Sequence, residues 1–279
     1  MIREGRHRPI PAAWIPAIDD FAAALRAGGA PKQSVTTRVS HMRYVARELG
    51  GSPWEVTGDR LTQWAGRQDW AIETRRSYRG SMLAFWRWAV AAGRTDSNPA
   101  AALPRVKPAP PRPRPAPEIV YAEALRRAQP RERLMLRLAA EVGLRRHEVA
   151  KVHTRDVVED LEGWSLVVKG KGGRVRTLPL PVDLARELRA HRRGYVFPGE
   201  DEGHLSARWV GKLITGLLPG VWTMHTLRHR FGTRAYLVDR DVFAVQELLG
   251  HASPATTRAY VEMPRDTLRR TVQAVSRGA

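Results

Sequence analysis

The chain has 279 residues, with 47 Lys or Arg against 28 Asp or Glu, a formal net charge of +19 and no cysteine. Without thiols there is no disulfide framework, no thiolate metal site and no cysteine nucleophile. The N-terminal stretch is charged and broken by proline, and no segment approaches the roughly 20 apolar residues of a membrane span, which predicts a cytoplasmic protein with no membrane partner.

This length predicts two compact units. The basic excess is shared between them, at +8 through Lys107 and +11 after it. Arginine outnumbers lysine, and its flat fork suits phosphate. A polyanion, nucleic acid above all, is the partner this charge predicts; the competing explanation is an arginine-rich proteome.

In chain order, Trp14, Ile18, Phe21, Ala22 and Leu25 recur at helical steps until Gly28-Gly29. Ser34 is placed to cap a second helix with Val35, Val39, Met42, Val45, Ala46 and Leu49 on its apolar side, ended by Gly50-Gly51. Thr57 or Asp59 opens a short third helix. A fourth runs from about Ile72 to Ala92, carrying Tyr78, Met82, Phe85, Trp86 and Ala89, and Gly93 closes it. This is a small all-α bundle. Its polar sides carry Arg38, Arg43, Arg47, Arg75, Arg76, Arg79 and Arg87, interleaved with Thr36, Thr37, Ser77 and Ser81. Such a face donates to phosphate oxygens without reading bases, and Arg38, Arg43, Arg75, Arg76 and Arg79 are the candidate DNA contacts. A solvated helix surface is the plainer alternative.

From Pro104 to Glu118, seven of 15 residues are proline, and every charge before Glu118 is basic. Proline at this density favours an extended, semi-rigid linker. The predicted organisation is therefore a helical domain at 1–103, a linker at 104–117 and a second domain at 118–279.

Beyond the linker, helical patterns appear near Tyr121–Ala128, Arg131–Val142 and Arg146–Val152. Two β-prone runs, 164–169 and 174–180, flank Gly170-Lys-Gly-Gly173 and predict a hairpin. Helical segments follow from Val182. The fold class is thus mainly α with a small β-hairpin or sheet, α+β overall.

Four short pieces in this half carry chemistry: Gly143-Leu-Arg145-Arg-His-Glu148, Gly170-Lys171-Gly172 at the hairpin tip, His225-Thr-Leu-Arg228, and Leu249-Gly-His251 followed nine residues later by Tyr260. His225 and Arg228, three apart, share a helix face and can address one group. Spacing alone leaves Arg146, Lys169 and His229 as rivals of Arg145, Lys171 and His225. No carboxylate accompanies the histidines at ligand spacing, so no metal is expected.

In this order the pieces resemble the catalytic domain of the tyrosine recombinases, the phage integrase family. The helical first half, with Phe85-Trp-Arg-Trp88 and Asn98-Pro99, is similar to that family's core-binding domain, a SAM-like bundle. Val142 departs from the pattern, since the family usually has a small polar residue before the glycine. The resemblance selects Arg145, Lys171, His225, Arg228 and His251 as catalytic residues and Tyr260 as nucleophile, with Glu148 orienting Arg145. Tyr121, Tyr195 and Tyr236 lack the Leu-Gly-His spacing and read as packed aromatics.

The activity it implies is site-specific recombination through a 3′-phosphotyrosine and a Holliday junction, for integration or excision of a phage or mobile element. Double-stranded DNA attachment sites would be bound by a homotetramer on two duplexes. An accessory directionality or DNA-bending protein is a further partner of such systems, and no cofactor is implied. The alternatives are a type IB topoisomerase-like enzyme and an inactive DNA-binding regulator. Only about 13 residues precede Trp14, so no separate arm-binding domain is expected. After Tyr260, Leu268, Val272 and Val275 recur at helical steps, a tail helix expected to dock on a neighbouring protomer or on its own domain.

Overall fold

The computed structural model describes residues 8–108, 114–170 and 173–250. The chain divides into two compact units, Met1–Pro110 and Pro111–Ala279.

The first unit is all-α, with α1 (Trp14–Ala27), α2 (Lys32–Leu49), α3 (Gly58–Gly66) and α4 (Ile72–Ala91). The apolar positions spaced three and four apart meet inside. Trp14, Ile18, Phe21, Met42, Leu61, Met82, Phe85 and Trp86 are all at most 1% exposed. Each large side chain contributes roughly 1.5–3 kcal/mol on burial. Two of the indoles also find partners: Trp14 Nε1 donates to Gly50 O at 3.3 Å and Trp86 Nε1 to Pro53 O at 3.1 Å. Thr57 caps α3, its hydroxyl accepting from Arg60 N at 3.2 Å.

Two local expectations are corrected. The second helix starts at Lys32 behind Pro31, so Ser34 lies in its first turn and caps nothing. Proline suits this entry because its φ is already near the helical value. Ser81, expected on the polar side, is 4% exposed. Its hydroxyl lies 2.9 Å from His41 Nδ1, so a polar partner on α2 pulls it into the helix interface.

The second unit is α+β. Its helices are α5 (Glu118–Arg127), α6 (Pro130–Ala140), α7 (Arg146–Ala150), α8 (Val182–Arg189), α9 (Ala207–Leu217), α10 (Met224–Asp239) and α11 (Val242–Leu249). The strands are β1 (Val157–Asp160), β2 (Gly163–Lys169), β3 (Val175–Leu180) and the short β4 (Pro198–Asp201). The expected hairpin is present as β2–β3, with Lys169 opposite Val175. It is two-thirds of a three-stranded antiparallel sheet, because β1 pairs with β2 as well. That strand was not predicted. Val157-Val158-Glu-Asp is too short and too polar to alternate, and Asp160 accepting from Glu162 N at 2.9 Å makes the turn that folds it back.

The core of this unit runs from α5 and α6 through β2 and β3 to α8, α9 and the start of α10. Backbone and charged contacts hold the entering segment on α10: Ala116 N donates to Thr226 O at 3.0 Å, and Arg230 forks onto Glu118 with its closest contact at 2.7 Å. Among the described residues no helix is long and apolar enough to cross a membrane.

Candidate active site

Gly143 opens the first motif with φ +73°, in the left-handed region, and a Cβ there would lie 2.4 Å from the Phe231 ring. Only glycine fits both demands. The turn delivers Arg145 to the N-cap of α7 and Glu148 to its first turn. Glu148 Oε2 accepts from Arg145 N at 2.7 Å, satisfying an orphan donor of the helix start. Glu148 Oε1 accepts from Arg145 Nη1 at 3.0 Å.

The Glu148 side chain is 0% exposed. Burial alone would raise its pKa. The Arg176 fork, the Arg145 N–H and the charges of both arginines outweigh burial and hold it at about 2, so it is a carboxylate.

Arg228 rises from α10 into the same place and is 2% exposed. Its two terminal nitrogens donate to Gly143 O and Leu249 O, and Nη1 lies 3.9 Å from Glu148 Oε2. The start of α10 is fixed by Thr226, whose hydroxyl accepts from Thr223 N at 3.0 Å. This sets His225 and Arg228 on one side of the helix.

His225 Nε2 is 2.9 Å from His229 Nε2. The backbone N–H of Arg114 donates to His229 Nδ1 at 3.0 Å. A neutral His229 therefore carries its proton on Nε2 and donates it to His225, which leaves His225 protonated on Nδ1. Desolvation first, then the charges of Arg228 and Arg145, lower the His225 pKa. Desolvation, His225 and Arg228 push His229 down to about 4. Both rings are neutral near pH 7.

Arg145, Arg228 and His225 line one basin of about 960 Å³, with Arg146, Arg208 and Lys212 on its walls and no acidic residue among its described lining. Such a cavity attracts anions. Arg146, the rival of Arg145, lies across α9, where a Cβ on Gly211 would meet its Cδ at 2.7 Å. Lys169 is exposed at the end of β2. Lys171, His251 and Tyr260 lie outside the described residues. No group of three or more His, Asp or Glu among the described residues could hold a metal ion.

One site residue escaped the sequence reading. Arg176 forks onto Glu148 at 2.8 and 2.9 Å. The signal was available: Arg176 shares a strand face with Leu178 and Leu180, both buried. An arginine at an inward register requires an internal acceptor.

The five candidate DNA contacts of the first unit differ in their surroundings. Arg43 is exposed and lines a groove between α1 and α2 with Arg26, Arg47, Thr36 and Ser40. Arg38 is half-buried on α2. Arg75 donates to Ala65 O at 2.8 Å and Gln68 O at 2.7 Å. Arg79 donates to Leu103 O at 3.0 and 3.2 Å, and Arg76 pairs with Glu73 at 2.8 Å. Arg75 and Arg79 thus staple loops to α4 rather than standing free on its surface.

Residues 116–265 match the model of the phage integrase family. The chain belongs to this family. It is 34% identical over 201 residues to a tyrosine recombinase XerC of Xanthomonas campestris pv. campestris, covering 64% of this chain and 61% of that relative. The chain thus spans less than two-thirds of that relative's length. A tyrosine recombinase XerC of Xanthomonas axonopodis pv. citri is 32% identical over 227 residues, covering 71% of this chain and 72% of its own. Among solved structures, a lambda integrase tetramer bound to a Holliday junction is similar, with TM-score 0.69 and 19% identity over 90% of this chain and 79% of that one. That likeness is one of fold.

Proposed function

We propose that this integrase-family chain is a site-specific DNA recombinase that cuts and rejoins DNA through a covalent phosphotyrosine. The observation that carries the reading is the convergence of Arg145, Arg228 and His225 on one cationic basin within a family-matched domain.

In this reading the Tyr260 oxygen attacks a DNA phosphorus and the bond from phosphorus to the 5′-oxygen breaks. The tyrosine proton leaves to a neighbouring base, and Lys171 gives a proton to the departing 5′-oxygen. Charge grows on the two non-bridging oxygens, where Arg145 and Arg228 stabilise the transition state more than the ground state. His225, with its Nδ1 proton, and His251 donate to the same phosphate. The phosphotyrosine keeps the energy of the broken bond, so a 5′-hydroxyl from a partner duplex reverses the step without a nucleotide or metal.

Two such exchanges between duplexes held by four protomers pass through a Holliday junction. The first unit acts as a DNA-binding module, and residues 104–117 as the linker between the two grips. The element served is a phage or other mobile DNA, acted on in the host cytoplasm.

The test is incubation of the full chain with a pool of nicked suicide duplexes of randomised sequence. A covalent adduct formed by the native chain and absent from Tyr260→Phe supports the reading. No adduct with any duplex, alongside tight binding, would identify a regulator. Adducts without exchange between two duplexes would identify a topoisomerase-like enzyme.

A further inference from the structure

Three arginines from three separate stretches of the chain end on three successive carbonyls, the last two of α11 and that of its C-cap Gly250. Arg176 Nε donates to Leu248 O at 3.2 Å, Arg228 Nη2 to Leu249 O, and Arg145 Nη2 to Gly250 O at 3.1 Å. These are the last carbonyls of a helix, with no partner inside it and with partial negative charge. On their other side the same arginines surround Glu148, with Arg176 the only one of the three that engages it through both terminal nitrogens.

Arg176 therefore stands between elements. It belongs to β3, the strand leaving the hairpin tip. A Cβ on Gly170 would lie 3.5 Å from Arg176 Nη1 and 3.7 Å from Glu148 Oε1, so the mouth of the hairpin rests on this pair. A Cβ on Gly250 would lie 3.0 Å from Arg176 Cδ, and Gly250 has φ +58° at the end of α11. The arginine thus lies beside the residue before Lys171 and beside the residue before His251, leaving no room for a side chain at Gly250 without a shift.

We infer that Arg176 is a positioning residue for the proposed cleavage: it locks Glu148 and the end of α11 so that Arg145 and Arg228 present their guanidinium groups to one phosphate in a single geometry. It reaches no DNA itself in this role. Its fork neutralises Glu148, which would otherwise draw Arg145 and Arg228 away from the phosphate. Its bond to Leu248 O holds the helix end whose next two carbonyls orient the other two arginines. Lysine cannot substitute fully, because a single ammonium lacks the planar fork.

The inference rests on the proposed function, and the experiment separates the two. In the full chain, guanidinium N–H resonances of Arg145 and Arg228 are identified by their loss in Arg145→Lys and Arg228→Lys. They are then recorded in Arg176→Met and Arg176→Lys. Broadening or shift of both sets, with a cooperative melt retained, is expected; unchanged resonances in either folded variant would overturn the inference. This arm needs no activity. Should Arg176→Met fail to fold, Arg176→Lys supplies the answer.

The second arm measures adduct formation on duplexes recovered from the randomised pool. Arg176→Met is expected to lose about 100-fold in rate, the scale of an ångström of misplacement, with DNA affinity within about twofold and Arg176→Lys in between. In an Arg145→Ala background the same change should cost far less, because part of its effect passes through Arg145. An undiminished loss in that background would overturn the positioning role. An inactive native chain would overturn the proposed function, while the resonances still decide the role of Arg176.

Discussion

Arg228 is 2% exposed and spends both terminal nitrogens on carbonyls, whereas the Arg145 side chain is 29% exposed and ends on the exposed Gly250. Replacing either by alanine should cut adduct formation by about 10²–10³-fold, the cost of losing one oriented donor at a developing charge. Their stabilities should diverge. Arg228→Ala leaves the carbonyls of Gly143 and Leu249 without that donor, at about 1–3 kcal/mol for each buried group. Arg145→Ala leaves Glu148 still held by Arg176, and should melt close to the native chain. Equal melting temperatures for the two variants would contradict this assignment. The histidines make a second prediction. His229 is lowered from 6.5 to about 4, so between those values the unfolded chain binds more protons. Its contribution to stability is present above pH 6.5 and is lost as pH falls toward 4. Denaturation midpoints across that window should fall less steeply for His229→Gln than for the native chain. Glu148 acts in a lower window, its stabilisation present above 4.5 and lost as pH falls toward 2.

At the scale of elements, the glycine turn before α7 sets the site. Gly143→Ala forces a side chain into φ +73° and against Phe231 on α10. The strained backbone alone costs roughly 1–3 kcal/mol, and the ring must move with the helix that carries His225 and Arg228. A lowered melting temperature together with slowed adduct formation is expected; a stable variant with slow cleavage would show that the turn serves only chemistry. Elements also show where local patterns mislead. The helices were legible because apolar residues recur at three- and four-residue steps over long stretches. The strand Val157–Asp160 was not, because four residues carry no period and only pairing with β2 makes them extended. Arg75 and Arg79 looked like surface charge, since a sequence does not show which carbonyls fold back to meet a long side chain.

For the molecule as a whole, charge excess in both halves predicts two grips on DNA. Affinity should fall with salt, with a slope of about −0.9 in the logarithms for each phosphate neutralised. Cutting the chain between residues 104 and 117 should leave two fragments that each bind weakly, because the linker supplies effective concentration. Titrating the fragments and the intact chain at several salt concentrations checks both statements. Full affinity in one fragment, or a flat salt response, would remove the two-grip account.

The sequence by itself determined the family, the α+β class and the order of the motifs. Each of these rests on short-range spacing, which a chain carries before it folds. Local spacing offered Arg228 together with the pairs Arg145 or Arg146 and His225 or His229, and the resemblance to the family chose Arg145 and His225. The resemblance also paired Glu148 with Arg145. Only the tertiary structure decided the other contacts: Arg176 and Arg228 around the buried Glu148, the carbonyls at the end of α11, and Arg114 setting the proton on His229. Those contacts join residues up to 115 positions apart. Their partners are backbone groups and buried charges, which have no sequence signature. Arg176 marks the border between the two, because its inward register was readable on the strand and the carboxylate it meets was not.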